Sequence, residues 1–261
     1  HDDYWVEKIE QNGTSAAPYG GSRDLSAPSS YRRILDFNSQ RAKALHELAE
    51  RDGFRSISAD LSVFALLATT YAAYLHRVTG QERVTIGTPS HNRATPPLKA
   101  TPGLFIEMFP LCIDVSPEQT FAELYGSVMT EALGFLRHAR PGASNAAIAS
   151  SFNAVLNYIP VQYGRFAGHE ADTTWLPVGA HDARHDLRLH VYDFTGSDTL
   201  TVAMDFNLTV FDMETIEKAG DHFLRVFDAF ADNPDQSLGH VSLVSGDEKP
   251  LTTGKLCTIG T

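Results

Sequence analysis

Cysteine is nearly absent: Cys112 and Cys257 are the only two in 261 residues, too few and too far apart for a disulfide framework or a cysteine-built metal site. Basic charge is also short, with 21 Lys and Arg against 32 Asp and Glu and a formal net charge of -11. That balance speaks against a nucleic-acid or anionic-membrane surface, either of which needs basic patches. No apolar run approaches the ~18 residues of a membrane span. The first residues, His1-Asp-Asp-Tyr-Trp5, are polar and acidic and do not resemble a signal peptide, so a reducing, cytoplasmic setting is the expectation. There is no internal repeat, no Gly-x-Ser-x-Gly nucleophile elbow and no Gly-x-x-x-x-Gly-Lys phosphate loop. No Ser-His-Asp trio stands out from the pattern.

What remains is a well-provided core. Hydrophobic residues make up 43% and aromatics 10% of the chain, ordinary for a globular enzyme or part of one. Asp2 to Gln11 reads as a short amphipathic helix, and 12–30, rich in Gly, Ser, Ala and Pro, as a linker or loop. Tyr31 to Asn38 reads as a strand with Ile34, Leu35 and Phe37 as its buried side chains. The spacing then predicts a helix capped by Ser39 and a long apolar helix from Ser58 to Val78 that is buried on several sides. A short strand follows over Arg83 to Gly87. Further helices are expected over Glu118 to His138 and, capped by Asp212, to Asp232. Ala147 to Ser150 reads as a helix fragment, and Ser151 to Tyr158 as a strand, with a further strand near Thr173 to Val178. Asp186 to Phe194 and Leu200 to Asn207 read as a hairpin around Thr195-Gly-Ser-Asp198. Leu187, Leu189 and Val191 should face the core and Arg188, His190 and Tyr192 a wetter side. Val241 to Val244 reads as a last strand, and 246–261 as a linker. Helices mixed with hairpin strands predict an α/β (α+β) sandwich with a mixed, largely antiparallel sheet flanked by helices.

The stretch with the most chemistry is Gly103-Leu-Phe-Ile-Glu-Met-Phe-Pro-Leu-Cys-Ile113. It follows Gly87-Thr-Pro-Ser-His-Asn-Arg93 across a proline-broken loop. Glu107 interrupts an apolar run there, so its carboxylate must be paired, face water or line a cavity. His181, Asp182, His185 and Asp186 form the densest histidine cluster. His185 and Asp186 straddle the start of a strand and point to opposite faces, and no metal is expected.

Gly87-x-Pro89-x-x-x-Arg93, Gly103-x-Phe105-Ile and Pro110-Leu111 together resemble a segment of nonribosomal peptide synthetase condensation domains. In that chloramphenicol-acetyltransferase-like family the segment reads roughly Gly-x-Pro-x-x-x-Arg and Gly-x-Phe-Val-Asn-Thr-x-Pro-Leu-Arg. Further matches run down the chain in the family's order: Asp3-Tyr4-Trp5, Asn157-Tyr158, Asp186-Leu187, Asn207 to Asp212, Asn233-Pro234 and Ser245-Gly-Asp-Glu248. The family's His-His-x-x-x-Asp-Gly signature has no counterpart, since no two histidines are adjacent. The chain departs from the pattern at Glu107 (Asn in the family), at Cys112 (Arg) and at His138-Ala-Arg-Pro141.

The resemblance implies the C-terminal subdomain of a condensation domain over 1–245, forming one wall of a tunnel. There a donor acyl or peptidyl thioester passes to an acceptor amine, with the catalytic wall supplied by the N-terminal subdomain. By itself this half is expected to be inactive and to hold no catalytic residue. Glu107, Met108, Asn157, Arg93 and His138 are the tunnel candidates, and Gly87, Pro89, Gly103, Phe105, Pro110 and Asp186 the structural motif positions. Substrates are expected on the phosphopantetheine of peptidyl carrier proteins, with no directly bound cofactor and an adenylation domain as neighbour. An ester-forming or free-standing enzyme and a non-catalytic carrier-docking module are the alternatives. A coenzyme A acyltransferase fits less well, because its Asp-Phe-Gly-Trp-Gly motif is missing, as does an epimerisation domain.

Overall fold

The computed structural model describes residues 2–10, 17–21, 29–164, 167–169, 173, 175–176, 184–194 and 199–244. Its centre is α3 (Ala59–Thr79), held open at one end by the Ser58 hydroxyl, which accepts from the Leu61 amide at 3.2 Å, and closed at the other by Gly80 at φ 72°. Both termini fit their residues: a hydroxyl satisfies an orphan N–H, and glycine adopts the left-handed closing conformation without strain. Ala65, Leu66, Leu67, Ala68, Tyr71 and Ala72 are all buried, so this helix is covered on nearly every side, as its sequence predicts.

Around it the chain supplies α1 (Asp2–Glu10), α2 (Ser39–Glu50), α5 (Phe121–His138) and α7 (Met213–Asp232) as longer helices, with short turns at α4 (Pro96–Ala100) and α6 (Ala146–Ala149). Among the described residues the strands are β1 (Ser30–Ile34), β2 (Arg83–Ser90), β3 (Glu107–Asp114), β4 (Ala154–Ile159), β5 (Leu187–Tyr192) and β6 (Thr201–Asn207). They form one six-stranded mixed sheet in the order β1-β6-β5-β4-β2-β3. The β1–β6, β5–β6 and β2–β3 pairs are antiparallel, whereas β4 runs parallel to both β2 and β5. The expected mixed, helix-flanked sheet is therefore present.

Register decides which side chains meet. Leu187, Leu189 and Val191 pair with Phe206, Met204 and Val202, and all six are buried on the face that meets the helices. On the opposite face lie Asn157, His190, Asp205 and Arg32, brought into line by the pairs Asn157↔His190 and Arg32↔Asp205. That second face is drier than the alternation suggested. His190 is only 5% exposed and Tyr192 9%, because Trp175 packs against both rings. Ile34 shares this face at the sheet edge, pairs with Ala203, and is 66% exposed instead of buried; Leu35 and Phe37, beyond the end of β1, are the buried pair.

Other boundaries move for local reasons. Asn38, not Ser39, caps α2, since its side-chain oxygen accepts from the amides of Gln40 and Arg41 at 3.1 Å. α5 begins at Phe121, where Thr120 and Glu123 close a reciprocal capping box. The strand through Glu107 starts at that residue, while Gly103 to Ile106 stay irregular and the preceding loop holds α4. Val241 to Val244 forms no strand; a single 3-10 turn, Leu238–His240, precedes it. Within the linker, Pro18 is buried and the Tyr19 hydroxyl meets His222 Nδ1 at 2.8 Å, so that part packs instead of spanning. Residues 174, 177 and 178, the hairpin tip 195–198 and the tail 246–261 lie outside the described residues.

Candidate functional site

At the carboxyl ends of the parallel neighbours β2 and β4 the helices part to leave a cleft of 390 Å³, in the size range of small-molecule sites and at the place where open α/β sheets bind ligands. Leu61 and Phe64 of α3, Phe135 and Leu136 of α5, and Pro89 form apolar walls, while Asp60, His91, Arg93 and Tyr158 bring polar atoms to it. Burial, reinforced by the Asp60 charge, pushes the Tyr158 phenol up to about 12, so it stays a protonated hydrogen-bond donor near neutral pH.

One rim of the cleft is built from the first motif segment, Thr88 to Arg93, with the second segment paired behind it, and the residue types of both have mechanical reasons. A Cβ on Gly87 would overlap the Phe152 ring, so the smallest residue is needed in the middle of β2. Pro110 sits opposite it. The neighbours at even positions of β3 turn their backbone outward, with the Cys112 amide donating to Glu131 at 3.0 Å and the Met108 carbonyl accepting from Ser144 at 2.8 Å. Pro110 falls in the same outward set, where its missing N–H costs no ladder bond. The Glu131 carboxylate, also paired with Lys8, covers this edge against further strand pairing.

Arg93 is a loop tie. Its guanidinium donates to the carbonyls of Leu98 and Thr101 at 2.6 Å and Gly103 at 2.8 Å, and lies over the Phe105 ring at 4.6 Å. Gly103, at φ 148°, has the Phe105 ring against it. Asn92, buried and at φ 52°, donates to the Phe105 carbonyl at 2.9 Å and to Glu107 Oε2 at 3.0 Å. Glu107 Oε1 accepts from the Gly142 amide at 2.9 Å. The acid inside the apolar run is thus paired twice, joining the loop after β2 to the turn after α5.

On the other sheet face a polar chain crosses four strands, β1, β6, β5 and β4. Arg32 grips Asp205 through Nε and Nη2 at 2.6 and 2.7 Å, in the fork geometry that favours a bidentate carboxylate. His190 Nε2 meets the second Asp205 oxygen at 3.1 Å, and His190 Nδ1 meets Asn157 Nδ2 at 3.4 Å. Trp175 closes the chain, with Arg32 over its ring at 5.0 Å and His190 at its edge at 4.6 Å. Burial opposes ionisation of Asp205, but the hydrogen bonds from Arg32 and His190 outweigh it and hold the carboxyl well below the usual range. Burial pushes the His190 imidazole down, with Asp205 pulling the other way.

Residues 1–251 match the family model described as the condensation domain. The chain belongs to the condensation-domain family. Surfactin synthase subunit 1 of Bacillus subtilis (strain 168) is 24% identical over 269 residues, which cover 95% of this chain and 7% of that protein. Phosphinothricin tripeptide synthetase PhsC of Streptomyces viridochromogenes is 26% identical over 258 residues, or 94% of this chain and 23% of that protein. Among solved structures, the first condensation domain of the CDA synthetase superposes with a TM-score of 0.71 at 22% identity, covering 94% of this chain and 53% of that one. The starter condensation domain of rhizomide synthetase RzmA gives 0.66 at 22%, covering 94% and 54%. The chain therefore spans about half the length of these solved domains and a small part of the synthetases. The fold is that of a condensation domain.

Within this condensation-domain fold the expected site residues separate. Arg93 and Pro89 reach the cleft, whereas Asn157 lies on the opposite sheet face beside His190. Glu107 and Met108 start β3 in the clamp. His138 stacks on Tyr4, with ring centroids 3.8 Å apart, and its carbonyl accepts from Trp5 Nε1, which ties α1 to the end of α5. Asp186 is fully buried at the foot of β5, where it accepts from Asn153 Nδ2 at 2.7 Å. Among the described residues no three His, Cys, Asp or Glu side chains converge as a metal site; His181 and Asp182 fall outside them. No helix among the described residues is long and apolar enough to cross a membrane. Sequence reasoning missed Arg32, His190 and Asp205. The signal for them was present: ionisable residues at alternate positions of strands whose other face is core.

Proposed function

We propose that this chain is the C-terminal half of a nonribosomal peptide synthetase condensation domain. It contributes one wall of the site where a donor acyl or peptidyl thioester on one carrier protein passes to an acceptor amine on another. The observation that carries the reading is the pairing of a family match over nearly the whole chain with coverage of only about half of each solved condensation domain. The missing His-His pair fits it, since the general base then belongs to the other half. This half's task is holding reactants in place, which is where much of the acceleration of a bimolecular transfer arises. Its partners are the N-terminal half, two peptidyl carrier proteins and an adenylation domain, with substrates borne on phosphopantetheine. One relative in fold is described as a four-domain nonribosomal peptide synthetase bound to AMP and glycine, which supports that setting.

The geometry also supports a division among the candidates. Glu107 and Arg93 serve as framework, since both Glu107 oxygens and three guanidinium donors of Arg93 bond the chain itself, and Met108 and His138 join them through backbone carbonyls and ring stacking, while Asn157 keeps capacity for a ligand. The test is turnover with one acyl-loaded and one aminoacyl-loaded carrier. This polypeptide by itself is expected to give no condensed product above background, and a complete domain containing it should turn over. Product from the polypeptide by itself would overturn the half-domain reading; a complete, folded domain that makes none would overturn condensation.

A further inference from the structure

The polar chain behind Asn157 determines which end of its carboxamide is free. Asp205, gripped by two nitrogens of Arg32, is a carboxylate and can only accept. The His190 nitrogen facing it, Nε2 at 3.1 Å, must therefore carry the proton. In a neutral imidazole the second nitrogen, Nδ1, is then bare and needs a donor. The group opposite Nδ1 is the Asn157 carboxamide, so the end turned to His190 must be the NH₂, as observed at 3.4 Å. The Asn157 oxygen is left pointing away, on a half-buried residue and with no partner among the described residues. Trp175 and the flanking strands seal His190 to 5% exposure, so water does not compete for the ring.

We propose that Arg32, Asp205 and His190 act as positioning residues that lock Asn157 with its carbonyl oxygen outward, so that Asn157 accepts a hydrogen bond from the N–H of the acceptor amine. The inference rests on the condensation reading and sharpens it. With the opposite orientation Asn157 would present N–H to the thioester carbonyl and stabilise negative charge developing there. The lock assigns it to the nucleophile instead. Accepting one N–H orients the amine lone pair toward the thioester carbon and disfavours any acceptor that lacks a proton to donate.

Two independent readouts test this. Nitrogen-15 NMR of the unmodified chain, labelled at His and Asn, is expected to show His190 protonated at Nε2 and bare at Nδ1, with the Asn157 NH₂ coupled to it. A ring protonated at Nδ1 overturns the lock whatever the chain's function is. The second readout uses the complete domain with two substitutions. An Asn side chain places its oxygen near the position of Nδ1, and Gln places its amide near that of Nε2. His190→Asn therefore keeps an acceptor for Asn157, and His190→Gln keeps the Asp205 contact but loses that acceptor. The KM for the amine acceptor is expected to be about tenfold higher in His190→Gln than in His190→Asn, the factor one hydrogen bond is worth, with the KM for the donor carrier equal in both. Equal acceptor KM values, or a shift confined to the donor, overturn the assignment. If the unmodified complete domain condenses nothing, the functional reading fails, and the NMR result still decides the lock.

Discussion

Replacing Glu107 by Gln tests whether the acid in the apolar strand is a clamp. Its two oxygens accept from Asn92 Nδ2 and the Gly142 amide at 3.0 and 2.9 Å. A carboxamide has one oxygen, so one of the two donors is left facing an NH₂. A hydrogen bond to a charged acceptor contributes about 1.5–3 kcal/mol, and the residue is only half-buried, which places the expected loss at the lower end, about 1.5 kcal/mol. For a chain of this size that corresponds to a fall in Tm of roughly 3–6 °C. Thermal unfolding at neutral pH reads the loss, and faster amide exchange at Gly142 localises it. Asn92→Gly is the fitting partner for a double-mutant cycle, because glycine tolerates the φ of 52° while deleting the amide. The two changes should fall short of additivity by about 1 kcal/mol. A Tm within 1 °C of the parent, about the scatter of such a scan and well short of the fall expected here, refutes the clamp, as does strict additivity.

Gly87→Ala should destabilise the chain by about 1–3 kcal/mol, since the added methyl overlaps the Phe152 ring and forces it to move; urea unfolding checks it, and a neutral result would mean that the ring is free to swing aside. Asn38→Ala removes the cap of α2 and should cost about 1 kcal/mol, whereas Ser39→Ala should be nearly silent; the reverse order in thermal melts would restore Ser39 as the cap. His190 gives a pH dependence of known sign. Its folded value lies below the ordinary one near 6.5, so on acidification the unfolded chain takes up the proton first. The stabilisation is full above about pH 6.5 and is lost as pH falls from there toward the folded value, with a slope of at most about 1.4 kcal/mol per pH unit. Asp205, depressed as well, acts in a separate window below its unfolded value near pH 3.9. Stability measured from pH 7 to 5 should therefore fall less steeply in His190→Asn than in the parent, and identical slopes would refute the assignment.

The parts of the fold legible in the sequence are those set by local chemistry. α3 and α7 end where a serine, a glycine and an aspartate predict, because caps and apolar stripes act within a few residues of themselves. The β5–β6 hairpin is legible for the same reason. The errors arise where a partner distant in sequence decides. Ile34 has the composition of a core residue, but register with Ala203 sends it to the uncovered edge of the second face. Tyr192 and His190 have the pattern of a solvated face, but Trp175, which no local periodicity links to them, lies across both. Val241 to Val244 has strand-like residues and, among the described residues, no strand pairs with it.

The same distinction separates framework from chemistry inside the motif that first pointed to the family. Side chains that bring a segment together over a few residues satisfy themselves in doing so. Arg93 spends three of its donors on carbonyls of its own loop, and Glu107 uses both oxygens on backbone and Asn92. Such groups have little left to offer a ligand, and their value to the site is the shape they impose on the cleft rim. A residue kept for chemistry shows the opposite balance, with one end over-determined and the other idle. Under the proposed lock Asn157 fits that description, with three strands contributing to the fixing of its NH₂ while its oxygen remains unspent. A buried ionic chain is weak evidence for stability, because desolvation offsets much of its attraction. The orientation it imposes on one exposed atom is the more economical reason for placing Arg32, Asp205 and His190 in a sheet that apolar residues could have filled.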